Sequence, residues 1–321
     1  MFLNLFFWLF VVPVFAVLAL AAFRTRRMAA KAETLVPQAG QLQPVTGGVI
    51  HYVEMGPKDA PALVLIHGLS GQLQHFTYAL TDLLKDEFRL IVIDRPGCGY
   101  SERTQAASAT PAEQGRMIAE ALDALEVENP VLVGHSLGGS VALAMALDQP
   151  NKTKALALLC PATQTQGDIP EVFKGLLIKS AWLRRFIGAT IAVPMAAATK
   201  DKVLGMVFHP EQPPDDFMIR AGAALGLRPK AFVTASEDVV VLLKTGPEQM
   251  ARYDTELRVP GGILFGSADK ILSPALHGIP MQAHGLTCET IEGRGHMIPM
   301  TAPDACAEFI RQIADNADGR G

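Results

Sequence analysis

Apolar residues along this chain follow two rhythms. In the first, short unbroken runs are bounded by turn-forming residues: Ala62–Ile66, Arg89–Ile93, Val131-Leu132-Val133, Ala155–Leu159 and Gly261–Gly266. Runs of that length suit strands buried on both faces of a parallel sheet. Residues 49–55 alternate more, and residues 287–291 supply the last strand. In the second rhythm, apolar positions recur at helical spacing over residues 76–84, 111–125 and 303–314, and again after Ser140. Thr110-Pro111-Ala112-Glu113 marks one helix start, with a capping side chain, a proline in the first turn and a glutamate three residues on. Strands alternating with helices predict an α/β fold, its mostly parallel central sheet covered by helices on both faces.

Two stretches break the alternation. Residues 164–250 carry several helical segments and prolines at Pro170, Pro194, Pro210, Pro213, Pro214 and Pro229. Leu176-Leu177-Ile178, Trp182-Leu183 and Phe186-Ile187 recur there at helical spacing, which predicts a helical cap inserted between strands. The other stretch is the N-terminus, where residues 2–23 hold no charged side chain. As a helix this run reaches about 33 Å, enough for a bilayer core of about 30 Å. Arg24, Arg26, Arg27 and Lys31 follow it. The pattern predicts a membrane anchor over residues 1–27, a transmembrane helix that puts the bilayer among the partners and the domain that follows it in the cytoplasm. The rival is a signal peptide cut near Ala19-Leu20-Ala21, leaving a secreted or periplasmic protein. A linker over 28–44, a core over 45–163, the cap over 164–250 and a second core segment over 251–321 complete the expected layout.

Composition narrows the chemistry. The formal net charge of −4 gives no basis for a nucleic-acid partner. Cys98, Cys160, Cys288 and Cys306 are scattered, with neither metal-ligand spacing nor a disulfide framework. His51, His209, His277 and His284 also lack ligand spacing, so no metal and no cofactor is expected. Oligomeric state is left open.

The chemistry concentrates at Gly134-His135-Ser136-Leu137-Gly138, where a strand meets a helix. Glycines two residues either side of a serine permit a tight, strained turn that lifts the hydroxyl above the sheet. The first amides of the next helix suit a developing negative charge there. A serine needs a base, and the base needs an orienting carboxylate. Asp269 follows one strand in Gly266-Ser267-Ala268-Asp269, and His296 follows the last in Gly293-Arg294-Gly295-His296. All three fall at the C-terminal ends of strands, the ligand-binding edge of open α/β sheets. His75, Trp182, Phe186, Met195, Met206, Phe208 and Met297 are candidates for a substrate-binding face.

From about residue 48 to 314 the chain resembles the α/β-hydrolase family. The resemblance rests on His67-Gly68, Asp94-Arg95-Pro96-Gly97-Cys98-Gly99-Tyr100-Ser101, the serine turn, Gly266-Ser267-Ala268-Asp269 and Gly295-His296, in that order. It implies an α/β-hydrolase fold with Ser136 as nucleophile, His296 as base and Asp269 as its orienting acid. It also implies an oxyanion hole from the backbone amides of Leu69 and Leu137, with His67 bracing the loop. His-Gly-Leu-Ser-Gly stands where some esterases have His-Gly-Gly-Gly, so their roomier oxyanion loop is not expected. A serine at the elbow argues against the epoxide hydrolases and haloalkane dehalogenases of the fold, which use aspartate. The layout looks like membrane-bound monoacylglycerol lipases, so the expected substrate is a lipophilic acyl ester. A carbon–carbon hydrolase or cofactor-free perhydrolase on the same triad, and a non-catalytic ligand-binding protein, are the alternatives.

Overall fold

The computed structural model describes residues 7–104, 107–165 and 170–319. Nine strands form one sheet: β1 (Gln41–Val45), β2 (Gly48–Met55), β3 (Ala62–Ile66), β4 (Arg89–Ile93), β5 (Glu102–Arg103), β6 (Val131–His135), β7 (Ala155–Leu159), β8 (Gly261–Gly266) and β9 (Leu286–Ile291). Their order is β1-β2-β4-β3-β6-β7-β8-β9, with β5 on β2. β2 runs antiparallel to β1, β4 and β5, whereas β4, β3, β6, β7, β8 and β9 pair in parallel, each with the next. The predicted apolar runs fall on the strands where expected. β4, β6 and β7 are buried at every position, as strands covered on both faces must be.

The principal helices are α1 (Val12–Leu35), α2 (Pro111–Ala124), α3 (Leu137–Asp148), α4 (Ala181–Ile187), α5 (Val193–Val207), α6 (Pro229–Met250) and α7 (Pro303–Ala317). Thr110 caps α2 by accepting the Glu113 amide at 3.1 Å. α3 is buried from Leu137 to Leu147. Gly115 of α2 lets Met145 of α3 approach, since a Cβ there would stand 2.7 Å from its Cγ. The run expected as one helix over 76–84 forms two short ones, Gln74–Thr77 and Leu80–Leu84.

The N-terminus departs from expectation. Among the described residues no helix is long and apolar enough to cross a membrane. Residues 2–6 of the expected span lie outside the described residues, and Phe7–Val11 is a π-helical turn. Only residues 12–23 of the apolar run belong to α1. At about 1.5 Å per residue they reach ~18 Å, short of a bilayer core of about 30 Å. The rest of α1 carries Arg24, Arg26, Arg27, Lys31 and Glu33 and packs on the protein. Thr25, fully buried, donates to Thr190 O at 2.9 Å, and Ala32 and Val36 pack with Ala224 and Leu225. Residues 28–44, expected as a linker, hold the end of α1 and most of β1. Hydropathy does not reveal that a charged helix end is docked by two small buried side chains.

Between β7 and β8 the described part of the insertion is helical, from Glu171–Leu176 through α4, a π-helical turn at Gly188–Ala192, α5 and α6. Residues 166–169 of the expected cap lie outside the described residues.

Candidate active site

The sheet order places the loops after β3 and β6 side by side. β3 lies between β4 and β6, so the chain leaves it in opposite directions and opens a crevice at its C-terminal end. Ser136 stands on the β6 side of that crevice with φ 54° and ψ −122°, a strained conformation for any residue with a side chain. Its neighbours explain how the turn is held. A Cβ on Gly138 would lie 2.0 Å from Ile66 O, and one on Gly134 would lie 2.8 Å from Gly138 O. The Ser136 amide donates to Leu159 O at 3.1 Å, and Ser136 O accepts from Gly139 and Ala162, both at 2.9 Å. The strain is therefore carried by several backbone bonds.

Asp269 and His296 meet at the same edge. Asp269 Oδ1 accepts the amides of Ile271 at 2.8 Å and Leu272 at 2.9 Å, while Oδ2 faces His296 Nδ1 at 2.7 Å. A carboxylate only accepts, so the His296 proton sits on Nδ1 and Nε2 is left basic. Backbone bonds from Ser267 to Ile291 O and from Ala268 to Arg294 O, both 2.9 Å, lock the two loops together. Ser136, Asp269 and His296 are each over nine-tenths buried. The Ser136 hydroxyl forms no hydrogen bond among the described residues, so the acid–base half of the constellation is joined and the serine half is open.

The loop after β3 is fastened from behind. Arg95, fully buried, donates through Nε to His67 O at 2.8 Å and through Nη2 to Gly68 O at 3.1 Å. Its Nη1 reaches Gln114 Oε1 at 2.6 Å and Asp238 Oδ2 of α6 at 2.8 Å. Because a trans peptide sets C=O and N–H on opposite sides, turning Gly68 O toward Arg95 turns the Leu69 amide away from it. The Leu137 amide, first in its helix, has no partner within α3. Behind this loop His67 Nδ1 donates to Gly68 O at 2.8 Å and Nε2 accepts the Arg95 amide at 2.9 Å. Burial, helped by the Arg95 charge, lowers the His67 pKa to about 3. Burial likewise raises the Cys98 thiol to about 11, which leaves it a protonated turn residue.

His135 donates from Nε2 to His296 O at 3.0 Å, its other nitrogen buried without a partner among the described residues. Burial holds its pKa well below the usual value. Cys160, at the end of β7, brings its Sγ within 4.8 Å of ligand atoms on Asp269 and His296. Two of the three, Asp269 and His296, already bind each other.

A cavity of about 580 Å³ opens over Ser136, Leu69, Leu137 and Asp269. Its apolar wall comes from Phe173, Val239, Leu242, Leu243, Ile271 and Leu272, and Gln164, Thr165, Lys270, Ser273 and His277 add polar groups. The side chains expected as the binding face lie elsewhere. His75 is buried against Phe217, with ring centres 5.8 Å apart. Phe208 and Met297 are buried with Phe217 and Met300 in a separate cluster. Trp182 and Phe186 stack on the surface, Trp182 being 71% exposed, Met195 is exposed, and Met206 is half-buried. None of them lines the cavity. Val239, Leu242 and Leu243 of the cavity wall share one helical face at i, i+3 and i+4.

A doubly wound sheet with a strained serine, a histidine and a carboxylate on one edge defines a hydrolase architecture. The chain belongs to the α/β-hydrolase fold family, whose sequence profile matches residues 61–303. It is 29% identical over 273 residues to the uncharacterized hydrolase YugF of Bacillus subtilis (strain 168), covering 83% of this chain and 94% of that protein. It is 36% identical over 110 residues to RutD of Variovorax paradoxus (strain S110), provisionally named a carbamate hydrolase. That match covers 34% of this chain and spans 41% of the relative. Among solved structures, lip1 of Acinetobacter baumannii AYE, provisionally named a lipase, superposes with a TM-score of 0.71 at 19% identity. It covers 92% of this chain and 97% of that one, a likeness of fold.

Proposed function

We propose that this chain is a serine hydrolase that cleaves carboxylic esters through an acyl-enzyme. The observation that carries the reading is the 2.7 Å Asp269–His296 bond at the edge that holds the strained Ser136 turn. Ser136 Oγ attacks the ester carbon as His296 Nε2 takes its proton. The carbonyl oxygen gains negative charge and receives the Leu69 and Leu137 amides, groups already fixed before reaction. His296 then protonates the departing alcohol and, in the second half, deprotonates the water that releases the acid. Asp269 holds the imidazole in the tautomer that can do both.

The cavity supports an uncharged, lipophilic ester. Its walls are mostly aliphatic, and about 580 Å³ suits a short-to-medium acyl chain. Monoacylglycerols combine such a chain with a small polar alcohol. The test is labelling by a fluorophosphonate probe together with p-nitrophenyl ester turnover. Wild type is expected to label and turn over, whereas folded Ser136→Ala does neither. Undiminished labelling of that variant would overturn the assignment of Ser136.

A further inference from the structure

His277 sits in the wall of the same cavity and has no part in the triad. It is 94% removed from solvent, being 6% exposed. Its Nδ1 faces two backbone amides, Thr163 N and Gln164 N, each at 3.2 Å. A nitrogen that accepts two N–H groups carries no proton, so the ring proton is on Nε2. Thr163 Oγ1 donates to His277 O at 2.7 Å and fixes the residue from its backbone side. Among the described residues no acceptor meets Nε2. His277 lines the mostly apolar cavity over Ser136, and its Nε2 is not among the side-chain atoms sealed from solvent, so this N–H is open to the acceptor of a ligand.

We infer that His277 positions the substrate: its Nε2–H donates to a second, uncharged oxygen of the ester, separate from the scissile carbonyl. That oxygen belongs either to the acyl chain, as an ether or ketone, or to the leaving alcohol, as a free hydroxyl. The inference rests on the ester-hydrolase reading and adds the substrate class. Burial keeps the ring neutral, with its pKa lowered to about 4, so the subsite offers a hydrogen bond without a charge. A neutral donor in a lining that includes Leu276, Leu242 and Phe173 suits an oxygenated lipid, and Lys270, the cation of that lining, is engaged with His209 Nε2 at 3.0 Å.

The experiment compares matched esters on the full-length chain. One pair is a p-nitrophenyl alkanoate and the same ester with one chain methylene replaced by oxygen, the replacement being moved along the chain. The other is a monoacylglycerol and the propyl ester of the same acid. In at least one pair wild type should prefer the oxygenated member by about tenfold in kcat/KM, the worth of one well-placed hydrogen bond. His277→Asn keeps an acceptor at the position of Nδ1 but withdraws the donor, so it should fold with an unchanged melting temperature and lose the preference. His277→Gln places an amide N–H near the position of Nε2 and should restore part of it. A folded Asn variant that keeps the preference overturns the inference. So does a wild type that labels at Ser136 and turns over plain esters yet shows no preference in either pair. Absence of both labelling and ester turnover would instead remove the ester-hydrolase reading itself.

Discussion

The floor and the roof of the cavity are held by different forces. On the floor, Ser136, Asp269 and the Leu69 loop are each tied by hydrogen bonds between fixed backbone groups or buried side chains. Over it, Phe173, Val239, Leu242 and Leu243 meet the space with aliphatic and aromatic surface that carries no directional bond. Hydrogen bonds fall off steeply with distance and angle, whereas apolar contact tolerates small shifts. The floor can therefore hold reacting atoms in place, and the roof can change its shape without touching the chemistry. Substitutions below should act on rate for every substrate, and those above should act on choice between substrates.

The largest effect tests the floor. Asp269→Asn leaves a side chain of the same size but offers an N–H where His296 needs an acceptor. The imidazole then favours the wrong tautomer. Ester turnover at saturating substrate should fall by about 10⁴-fold, with KM changed little. Steady-state kinetics on a folded variant measures it. A loss confined to KM would mean that the carboxylate acts on binding rather than on the base.

The next substitution lies on the seam between floor and roof. Arg95 and Asp238 are both fully buried and 2.8 Å apart, one behind the Leu69 loop and one on α6. Arg103 also reaches Asp238 at 3.1 Å. Removing one member of such a pair leaves the other buried and unpaired, which typically destabilises by about 3–5 kcal/mol. Asp238→Ala should show that loss in denaturant unfolding. The Arg95 side chain, freed on one side, should also hold the His67 and Gly68 carbonyls less firmly, so kcat should drop for all esters alike. Unchanged stability and rate would show that floor and roof are independent even here.

The same division governs what could be read from the sequence. The parallel strands were legible because burial on both faces forces unbroken apolar runs, and β4, β6 and β7 have no other solution. Ser136 and Asp269 were legible as candidates because each stands just past such a run, whereas His296 follows the mostly polar β9 and is marked by Gly293-Arg294-Gly295 before it. β1 was not, since Gln41-Leu42-Gln43-Pro44-Val45 is an edge strand with no fully buried residue and a proline. The roof was illegible for a different reason. Helical spacing shows that Trp182, Phe186 and Met195 share apolar character with Val239 and Leu242, but not which of them turn inward. α1 misled in the same way: its apolar stripe is plain in sequence, while Thr25 and Ala32, the contacts that dock it, are unremarkable residues.

Acid should destabilise the fold through its buried imidazoles. His67 and His75 are buried rings whose pKa values burial lowers to about 3 and about 4. In the unfolded chain both return to about 6.5. Below that pH the unfolded state takes up protons that the native rings refuse, so stability falls as pH drops from about 6.5 toward 4. Each ring can contribute up to about 1.4 kcal/mol per pH unit across that window. Above pH 7 neither titrates and the contribution is flat. Protonating His67 Nε2 would also break its bond from the Arg95 amide. Melting temperature followed from pH 8 to 4 should be level and then decline, with a shallower decline in His75→Leu.

The smallest expected effect is the sharpest test of the roof. Leu242 is half-buried on the α6 face that lines the cavity. Leu242→Ala removes a few methyl and methylene groups from the wall and opens space beside the acyl chain. One extra methylene in an apolar pocket is worth roughly 1–3 kcal/mol. The kcat/KM optimum in an acyl-chain series should therefore move to longer chains, with a roughly tenfold change in the ratio of long to short. Fluorophosphonate labelling of Ser136 should proceed as before, because the floor is untouched. Trp182→Ala and Met195→Ala, on the outer face of the cap, should leave the chain-length profile where it is. If either of those shifts the optimum while Leu242→Ala does not, the acyl chain lies along the outer cap surface and the cavity over Ser136 is not its binding site.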